Sequence, residues 1–207
     1  MLECVPASAS ERRTPRDRLL DAADQLFYEE GICTVGVDRI LSQAGVARAS
    51  LYTTYGSKER LICAYLQGRS DAWQAAVAEL LPTRWDNPRD RILGVFTLLT
   101  EWFDTPGYRG CPFINASAEA ASGLAVEEVR DRHRAWVREL FAKLGREAGA
   151  RDPGELSTQL VLLYDGSMVG AQLDRTAAPG RTAQAVAAAL LDTAIERHPA
   201  INSGDPA

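Results

Sequence analysis

Histidine and cysteine are scarce in this sequence, and their scarcity limits the chemistry that the chain can perform. The two histidines are His133 and His198, and the four cysteines are scattered without a CxxC pair. A zinc site therefore lacks ligands at the usual spacing, and general acid–base catalysis lacks its commonest side chain. Gly-rich phosphate loops and the G-x-S-x-G motif are also absent from the sequence. We therefore expect no metal, no cofactor and no enzyme activity.

Long apolar runs are also missing from the 207 residues. A membrane helix needs about 18 or more consecutive apolar residues, so we expect no membrane span. The N-terminal stretch MLECVPASASERRTPRDR lacks the apolar segment of a signal peptide. We therefore expect a cytoplasmic protein with reduced thiols.

The net charge of -5 argues only weakly against a nucleic-acid partner. Contact with phosphates depends on the local surface rather than on the whole chain. Eight arginine and lysine residues that could contact phosphates lie within the first 60 residues. They are mixed with acids such as Asp17 and Glu30.

Signals for α-helices occupy most of the chain, and no alternating strand pattern competes with them. Thr14-Pro15 predicts the start of a first helix that Gly31 ends. A second helix is predicted from Val37 to Ala44, a third from Ala47 to Tyr55, and a long fourth from Ser57 to Pro82. Further helices are predicted to start at Asn87-Pro88, Phe113, near Val126, at Asp152-Pro153 and at Pro179-Gly180. The predicted fold class is all-α, with about nine helices.

The second and third predicted helices are joined by Gly45-Val46 in the order of a helix-turn-helix, whose second helix enters the major groove. Val46 and Leu51 are expected to pack inward. Arg48 can reach a guanine edge or a phosphate. Lys58 lies in the first turn of the fourth helix, where the backbone N–H groups also favour a phosphate. The predicted DNA contacts are Arg39, Ala47, Arg48, Ser50, Tyr52, Thr53, Thr54 and Lys58. The same geometry also occurs as plain helix packing.

The stretch AGVARASLYTTYGSKERL and the residues before it resemble the N-terminal domain of the TetR (tetracycline repressor) family. The resemblance covers about residues 14 to 66. Gly36 stands where the family usually has a Thr, and Thr54 stands where it frequently has a His, so operator contacts are expected to differ in detail. The matching residues are Ala23, Leu26, Phe27, Gly31, Asp38, Ile40, Ala44, Gly45, Val46, Leu51, Tyr52, Tyr55, Ser57, Lys58, Glu59 and Leu61.

The resemblance implies a homodimeric repressor on palindromic double-stranded operator DNA, released by a small-molecule effector that shifts the fourth helix. The implied division is a disordered arm over 1–13, a DNA-binding domain over 14–60, a ligand-binding and dimerisation domain over 61–198, and a frayed tail over 199–207. A helical scaffold without DNA binding is the alternative.

Bulky and polar residues in the second part of the chain are candidates for lining a ligand cavity. Aromatic residues at helical spacing fit an ordinary core equally well. Tyr108 and Gln172 are further candidates. The predicted ligand contacts are Trp102, Phe103, Cys111, Phe113, Asn115, Glu119, Trp136, Tyr164, Asp165 and Met168.

Cys111 lies in the segment RGCPFINASAEA, which resembles a segment found in a subset of TetR regulators. A helix N-terminus favours thiolate, so a thiol-based sensor of electrophiles or redox state is an alternative function. A small buried cysteine at a turn is the other interpretation.

The last two helices are predicted to form a dimer interface. Gly166 and Gly170 allow close approach, and Leu163, Val186 and Leu190 supply apolar area. Paired from two subunits, these helices would form a four-helix bundle. The alternative is that they only close the core of one subunit.

Overall fold

The computed structural model describes residues 13–119 and 124–195, with the side chain of Leu124 excepted. The predictions for the arm over 1–12, for helical residues Ala120 and Ala121, and for residues 196–207 lie outside the described residues. Over the described ranges the chain forms nine α-helices and no β-strand, which confirms the all-α prediction. They are α1 (Pro15–Glu30), α2 (Val37–Ala44), α3 (Arg48–Tyr55), α4 (Lys58–Arg84), α5 (Pro88–Phe103), α6 (Pro112–Glu119), α7 (Leu124–Glu147), α8 (Pro153–Asp174) and α9 (Ala178–Ala194).

Helix starts follow the capping residues that the sequence supplies. The Thr14 hydroxyl accepts from the Asp17 backbone N–H at 3.2 Å, and the Asp17 carboxylate accepts from the Thr14 backbone N–H at 3.1 Å. This reciprocal pair satisfies two of the free N–H groups at the start of α1. The side chains of Asn87 and Asp152 cap α5 and α8 by accepting from backbone N–H groups of the first turn, and each is followed by a proline. These predicted starts are confirmed.

The end of α4 was predicted wrongly. Pro82 lies inside the helix, which continues to Arg84. A proline in the last turn removes only its own N–H from the hydrogen-bond ladder. The turn still closes because the Trp85 N–H donates to the Leu81 carbonyl at 3.1 Å.

Helices α1 to α3 pack around one apolar centre, and α4 joins them to the rest of the chain. Leu19, Ile40 and Leu51 are fully buried there. Helix α4 contacts α1 and α3 and also contacts α5, α6 and α7. Its Arg69 forms two hydrogen bonds to the Asp24 carboxylate of α1, at 2.6 and 2.8 Å. Helix α4 therefore packs both against the first three helices and against the helices that follow it.

Helices α5, α7, α8 and α9 form the second packed group. The rings of Phe96 and Phe141 stack at its centre with their centroids 5.9 Å apart. Gly180 lets α9 approach α5, since a Cβ there would lie 2.3 Å from Thr100 Oγ1. Among the described residues, no helix has the length and hydropathy needed to cross a membrane.

Candidate DNA-binding surface and ligand cavity

The turn between α2 and α3 is fixed by Gly45 and by a contact from α1. Gly45 adopts the left-handed conformation at φ 62°, which favours glycine. The Arg18 guanidinium donates to the Gly45 carbonyl at 3.1 Å. The orientation of α3 is therefore set by α1 as well as by its own turn.

The inner face of α3 is apolar and closely packed. Leu51 is fully buried, Tyr55 is buried and Val46 is half-buried, so the predicted inward packing of Val46 and Leu51 is confirmed. The Tyr55 hydroxyl donates to the Arg16 carbonyl at 3.2 Å. Burial raises the pKa of Tyr55, so this hydroxyl keeps its proton at neutral pH.

The outer face of α3 carries short polar side chains around one exposed tyrosine. Tyr52 is 47% exposed, and Ser50 is half-buried. Small side chains let a helix approach base edges, and hydroxyl groups can donate to phosphates. The exposed predicted contacts are Arg39, Ala47, Arg48, Tyr52, Thr53 and Thr54.

The predicted cationic contacts are engaged within the protein. Arg48 pairs with Asp38, and Arg39 pairs with Glu30 at 2.5 Å. Lys58 is half-buried, with Nζ 6.0 Å from the centroid of the Phe27 ring. Exposed ion pairs contribute at most about 1 kcal/mol, so a phosphate can replace either carboxylate.

Helices α2 and α3 start without a side-chain cap. Gly36, which has no side chain, precedes α2. Ala47 precedes α3, and its methyl group cannot accept a hydrogen bond. By contrast, the Ser57 hydroxyl at the start of α4 accepts from the Arg60 N–H at 3.2 Å. The Ser50 N–H of α3 donates to the Ala47 carbonyl at 2.9 Å, and the remaining first N–H groups of α2 and α3 are available to an anion.

A cavity of about 190 Å³ lies between α6, α7 and α8. Its described lining is mostly apolar, and its polar members come from all three helices. The lining residues are Cys111, Phe113, Ile114, Ser117, Arg130, His133, Arg134, Val137, Val161, Tyr164, Asp165 and Met168.

His133 is the buried imidazole of this lining. Its ring stacks on Phe113 with centroids 4.1 Å apart and planes 10° apart. Its Nδ1 lies 2.9 Å from Ser70 Oγ, which also accepts from Gln74 Nε2 at 2.9 Å. Burial and, to a smaller extent, the nearby Arg134 charge together lower the pKa of His133 to about 4. The ring is therefore neutral at physiological pH.

Each arginine of the lining is paired with a carboxylate, and the charged groups are only partly buried. The Arg134 guanidinium donates to the Asp165 carboxylate at 2.6 Å, between α7 and α8. Arg130 Nε donates to Asp131 at 2.9 Å. The side chains of Arg130, Arg134 and Asp165 are about a quarter to a third exposed, whereas Cys111, Phe113 and His133 are buried. The deep part of the cavity is therefore uncharged.

Cys111 does not have the thiolate character that a helix start predicts. Burial raises its pKa to about 11, although the backbone N–H groups of Ile114 and Phe113 act in the opposite direction. Loss of hydration outweighs these N–H groups because the thiol is almost completely enclosed. In this conformation Cys111 is a neutral thiol in the cavity wall.

An apolar patch is exposed on α8 and α9. On α8, Leu162 is 73% exposed and Leu173 is 75% exposed. Val169 of α8 and Val186 of α9 are also exposed. A Cβ added at Gly166 would meet no atom within 4 Å, so the backbone is open to a neighbour. Large exposed aliphatic side chains on adjacent helices are typical of an interaction surface.

The comparisons with known proteins agree on one family. Residues 19–65 match the model for bacterial regulatory proteins of the tetR family. The crystal structure of SCO4454, a TetR-family transcriptional regulator from Streptomyces coelicolor, is 31% identical with a TM-score of 0.81. That likeness covers 88% of this chain and 96% of SCO4454. The chain belongs to the TetR family.

Two curated TetR-like regulators are similar over different lengths. The transcriptional repressor NemR from Escherichia coli K12 is 28% identical over 175 residues, which are 79% of this chain and 87% of NemR. The transcriptional activator FasR from Mycolicibacterium smegmatis is 35% identical over 112 residues. That second alignment covers 50% of this chain and only 51% of FasR.

In this TetR-family chain, five predicted ligand residues share the cavity and five lie elsewhere. Trp102 and Phe103 pack with Tyr108, each with ring centroids 5.0 Å from it. Trp136 lines a groove between α4 and α7. Asn115 and Glu119 line a second cavity beside α1. The five in the cavity are Cys111, Phe113, Tyr164, Asp165 and Met168.

The prediction missed the cavity residues of α7. Arg130, His133, Arg134 and Val137 recur at spacings of three and four, as one face of a helix does. The same spacing appears in α8 from Val161 to Met168. This periodicity could have identified the α7 face, whereas choosing Trp136 for its size selected the neighbouring face.

Three residues predicted for the dimer interface also make contacts within their own subunit. A Cβ on Gly170 would lie 3.0 Å from Pro179 Cβ, so Gly170 serves the contact between α8 and α9. Leu163 and Leu190 are half-buried against their own core. The prediction did not include Leu162 and Leu173, which are the most exposed large apolar residues among those described.

Proposed function

We propose that this protein is a ligand-responsive repressor that binds palindromic operator DNA as a homodimer and is released by a small molecule. The observation that carries the proposal is the pairing of two features. One is α3, with an apolar inner face and an exposed polar outer face. The other is a mostly apolar cavity in the helical part that follows it. A regulator needs a surface for DNA and a separate site for a signal.

The proposed DNA contacts are the eight residues predicted from the sequence. Arg48 would contact a guanine edge or a phosphate, and Arg39 and Lys58 would contact phosphates. On binding, phosphates would replace Asp38 as the partner of Arg48 and Glu30 as the partner of Arg39. We propose a boundary between the DNA-binding domain and the rest near residue 60, with α4 crossing it.

The exposed patch on α8 and α9 supports the homodimer. A helix-turn-helix that reads a palindrome needs two copies at a fixed spacing. The patch offers Leu162, Leu173 and the open backbone at Gly166 for an interface between identical subunits.

A double change, Leu162→Asp with Leu173→Asp, tests this interface. We expect a monomer in light scattering and DNA affinity reduced by more than about 100-fold, because buried unpaired charges oppose association. Ala72→Asp, at an exposed site on α4, is the matched control and should remain dimeric. A double variant that stays dimeric would place the interface on another face.

Helix α6 supports a connection between the cavity and the DNA-binding part. Phe113 and Ser117 line the cavity, and Glu119 of the same helix accepts from the Cys33 backbone N–H at 3.0 Å. Cys33 lies in the loop between α1 and α2. The Tyr28 hydroxyl of α1 accepts from the Arg109 N–H at 2.9 Å, just before α6. A ligand that displaces α6 would therefore disturb the position of α1 and α2.

Repression is favoured over activation by the extent of the alignments. Similarity to the repressor NemR spans 87% of that protein, whereas similarity to the activator FasR spans 51% of it. The thiol-sensing alternative is supported by the place of Cys111 in the cavity wall. Its raised pKa opposes that alternative, because a neutral thiol is a poor nucleophile.

The proposal is tested by a mobility shift of the purified protein on the DNA upstream of its own gene, over a series of salt concentrations. We expect a specific complex at nanomolar protein that weakens steeply with salt, as phosphate contacts require. Binding that is sensitive to salt but indifferent to sequence would contradict a specific operator at that site. No binding at any salt concentration would contradict the repressor itself.

A further inference from the structure

The chemical class of the effector can be inferred from the cavity between α6, α7 and α8. We propose that it takes a compact, uncharged compound with a single ring and a hydrogen-bond acceptor, held by the Ser117 hydroxyl and His133 Nε2–H. This inference rests on the proposed function in one respect, namely that the cavity is the effector site.

The volume of the cavity limits the size of the compound. Its volume is about 190 Å³. An apolar cavity of about 150 Å³ holds one benzene molecule. The additional space therefore admits a ring with a substituent of a few atoms, and it favours such a compound over fused or multi-ring ones.

The walls of the cavity favour a flat molecule. Phe113 and His133 lie parallel, with centroids 4.1 Å apart, and both are buried in the lining. Val137, Val161 and Met168 complete the apolar lining and are also buried. Aromatic and aliphatic walls of this kind stabilise a ring through burial and stacking.

Ser117 supplies the first hydrogen-bond donor. Its hydroxyl oxygen is buried and has no hydrogen-bond partner among the described residues. An unpaired buried hydroxyl is unfavourable for the folded protein, so an acceptor on a ligand gains a partner whose cost of dehydration is already met. Ser117 lies in the cavity lining, where such a ligand would contact it.

His133 supplies the second donor. Gln74 Nε2 donates to Ser70 Oγ at 2.9 Å, and Ser70 Oγ lies 2.9 Å from His133 Nδ1. We assign the Ser70 hydroxyl as the donor in this second contact, because its oxygen already accepts from Gln74. With Nδ1 accepting, the neutral ring carries its proton on Nε2. Within the described part of the chain, no hydrogen bond engages Nε2. The side chain therefore offers a donor, and not a charge, to a bound molecule.

An uncharged ligand follows from the placement of the charges. Arg134 is paired with Asp165 at 2.6 Å, and Arg130 is paired with Asp131 at 2.9 Å. These groups are partly exposed, whereas the residues of the deep lining are uncharged and buried. A charged ligand would have to lose its hydration in the apolar interior and also displace a carboxylate from one of these arginines, which is unfavourable.

Three probes of similar size separate the possibilities. Acetophenone carries an acceptor, ethylbenzene has nearly the same shape without one, and benzoate carries a negative charge. The sequence contains two methionines, Met1 and Met168. Methyl-¹³C methionine labelling therefore gives at most two signals, and Met168→Leu identifies the one that reports on the cavity.

We expect acetophenone to shift the Met168 signal and to bind about tenfold more tightly than ethylbenzene, although ethylbenzene is the more hydrophobic. Benzoate should leave the signal unchanged. Ser117→Ala should reduce the preference for acetophenone several-fold. Ser157→Ala is the matched control, because Ser157 is buried, donates to the Arg138 carbonyl and lies outside the lining.

Equal binding of ethylbenzene and acetophenone would overturn the inference, and so would tighter binding of benzoate or no binding of any probe. The comparison of probes uses the unmodified protein, so it does not depend on the folding of a variant. DNA binding is measured on the same preparation. Acetophenone binding without any DNA binding would support the inference while contradicting the proposed function.

Discussion

The proposed DNA-binding surface and the cavity differ in the charge and the exposure of their polar groups. On α3 and α2, arginine side chains are exposed and paired with exposed carboxylates such as Asp38. In the cavity, the buried polar groups are a neutral histidine, a neutral thiol and an unpaired hydroxyl. A surface for a polyanion keeps its charges hydrated and exchangeable, whereas a site for an uncharged compound removes charge from its interior.

The two regions also differ in how far apart their residues lie along the chain. The α2–α3 surface comes from about twenty consecutive residues, and a single turn at Gly45 positions it. The cavity combines Cys111 of the segment before α6 with Met168 of α8, which only tertiary packing brings together. Local sequence therefore specifies the first region, and long-range packing specifies the second.

A pH dependence of stability would show most clearly that the cavity excludes charge. The pKa of His133 is about 4 in the folded protein and about 6.5 when unfolded, so the unfolded state gains a proton first as pH falls. Stability is therefore full above about pH 6.5 and is lost as pH falls toward 4. Between pH 7 and about pH 4.5 this loss is about 2 kcal/mol. Urea unfolding at both pH values measures it, and His133→Gln should remove this part of the loss.

Thiol reactivity provides the second test of the interior. A pKa of about 11 leaves Cys111 with about one hundredth of the thiolate of an ordinary cysteine at pH 8. Brief treatment with iodoacetamide followed by peptide mass spectrometry should therefore label exposed Cys33 well before Cys111. The rate at Cys111 should rise about tenfold per pH unit up to its pKa. Labelling of Cys111 first would instead favour the thiol-sensing alternative.

A matched pair of arginine changes tests the charged surface. Arg48→Ala should weaken specific DNA binding by about 10-fold to 100-fold, the effect of losing a base or phosphate contact. Arg146→Ala is the control, because Arg146 is also exposed and pairs with a carboxylate, that of Glu139, on α7. Fluorescence anisotropy with labelled DNA measures both. Equal losses would mean that overall charge, rather than α3, determines affinity.

The smallest effect concerns the uncapped start of α2. Gly36→Thr adds a capping hydroxyl where a Cβ meets nothing within 4 Å, and should stabilise the protein by about 0.5 kcal/mol. Thermal unfolding should show a rise of about 1–2 °C. Gly45→Thr is the opposing control, since the left-handed conformation at Gly45 disfavours a threonine and should lower the midpoint.

The sequence predicted most helix starts because caps are local. Thr14, Asn87 and Asp152 each stand directly before a proline and accept from the first turn, which needs no tertiary information. The end of α4 was missed because Leu81 and Trp85 close a turn around Pro82. A backbone hydrogen bond of this kind is difficult to predict from the types of the residues involved.

The cavity was predicted less well than the surface for a physical reason. Which face of α7 lines the cavity depends on how α7 packs against α6 and α8. Trp136 and His133 are three residues apart, yet Trp136 lines the groove toward α4 and His133 lines the cavity. The pairing of Arg48 with Asp38 likewise depends on the angle between α2 and α3.

The central claim is that two α3 helices read one palindrome, and hydroxyl-radical footprinting of the bound upstream DNA tests it most directly. The account predicts two protected half-sites related by two-fold symmetry, separated by a whole number of helical turns, so that both major grooves face the dimer. Protection that is unsymmetrical, confined to one half-site, or unchanged by Arg48→Ala would contradict it.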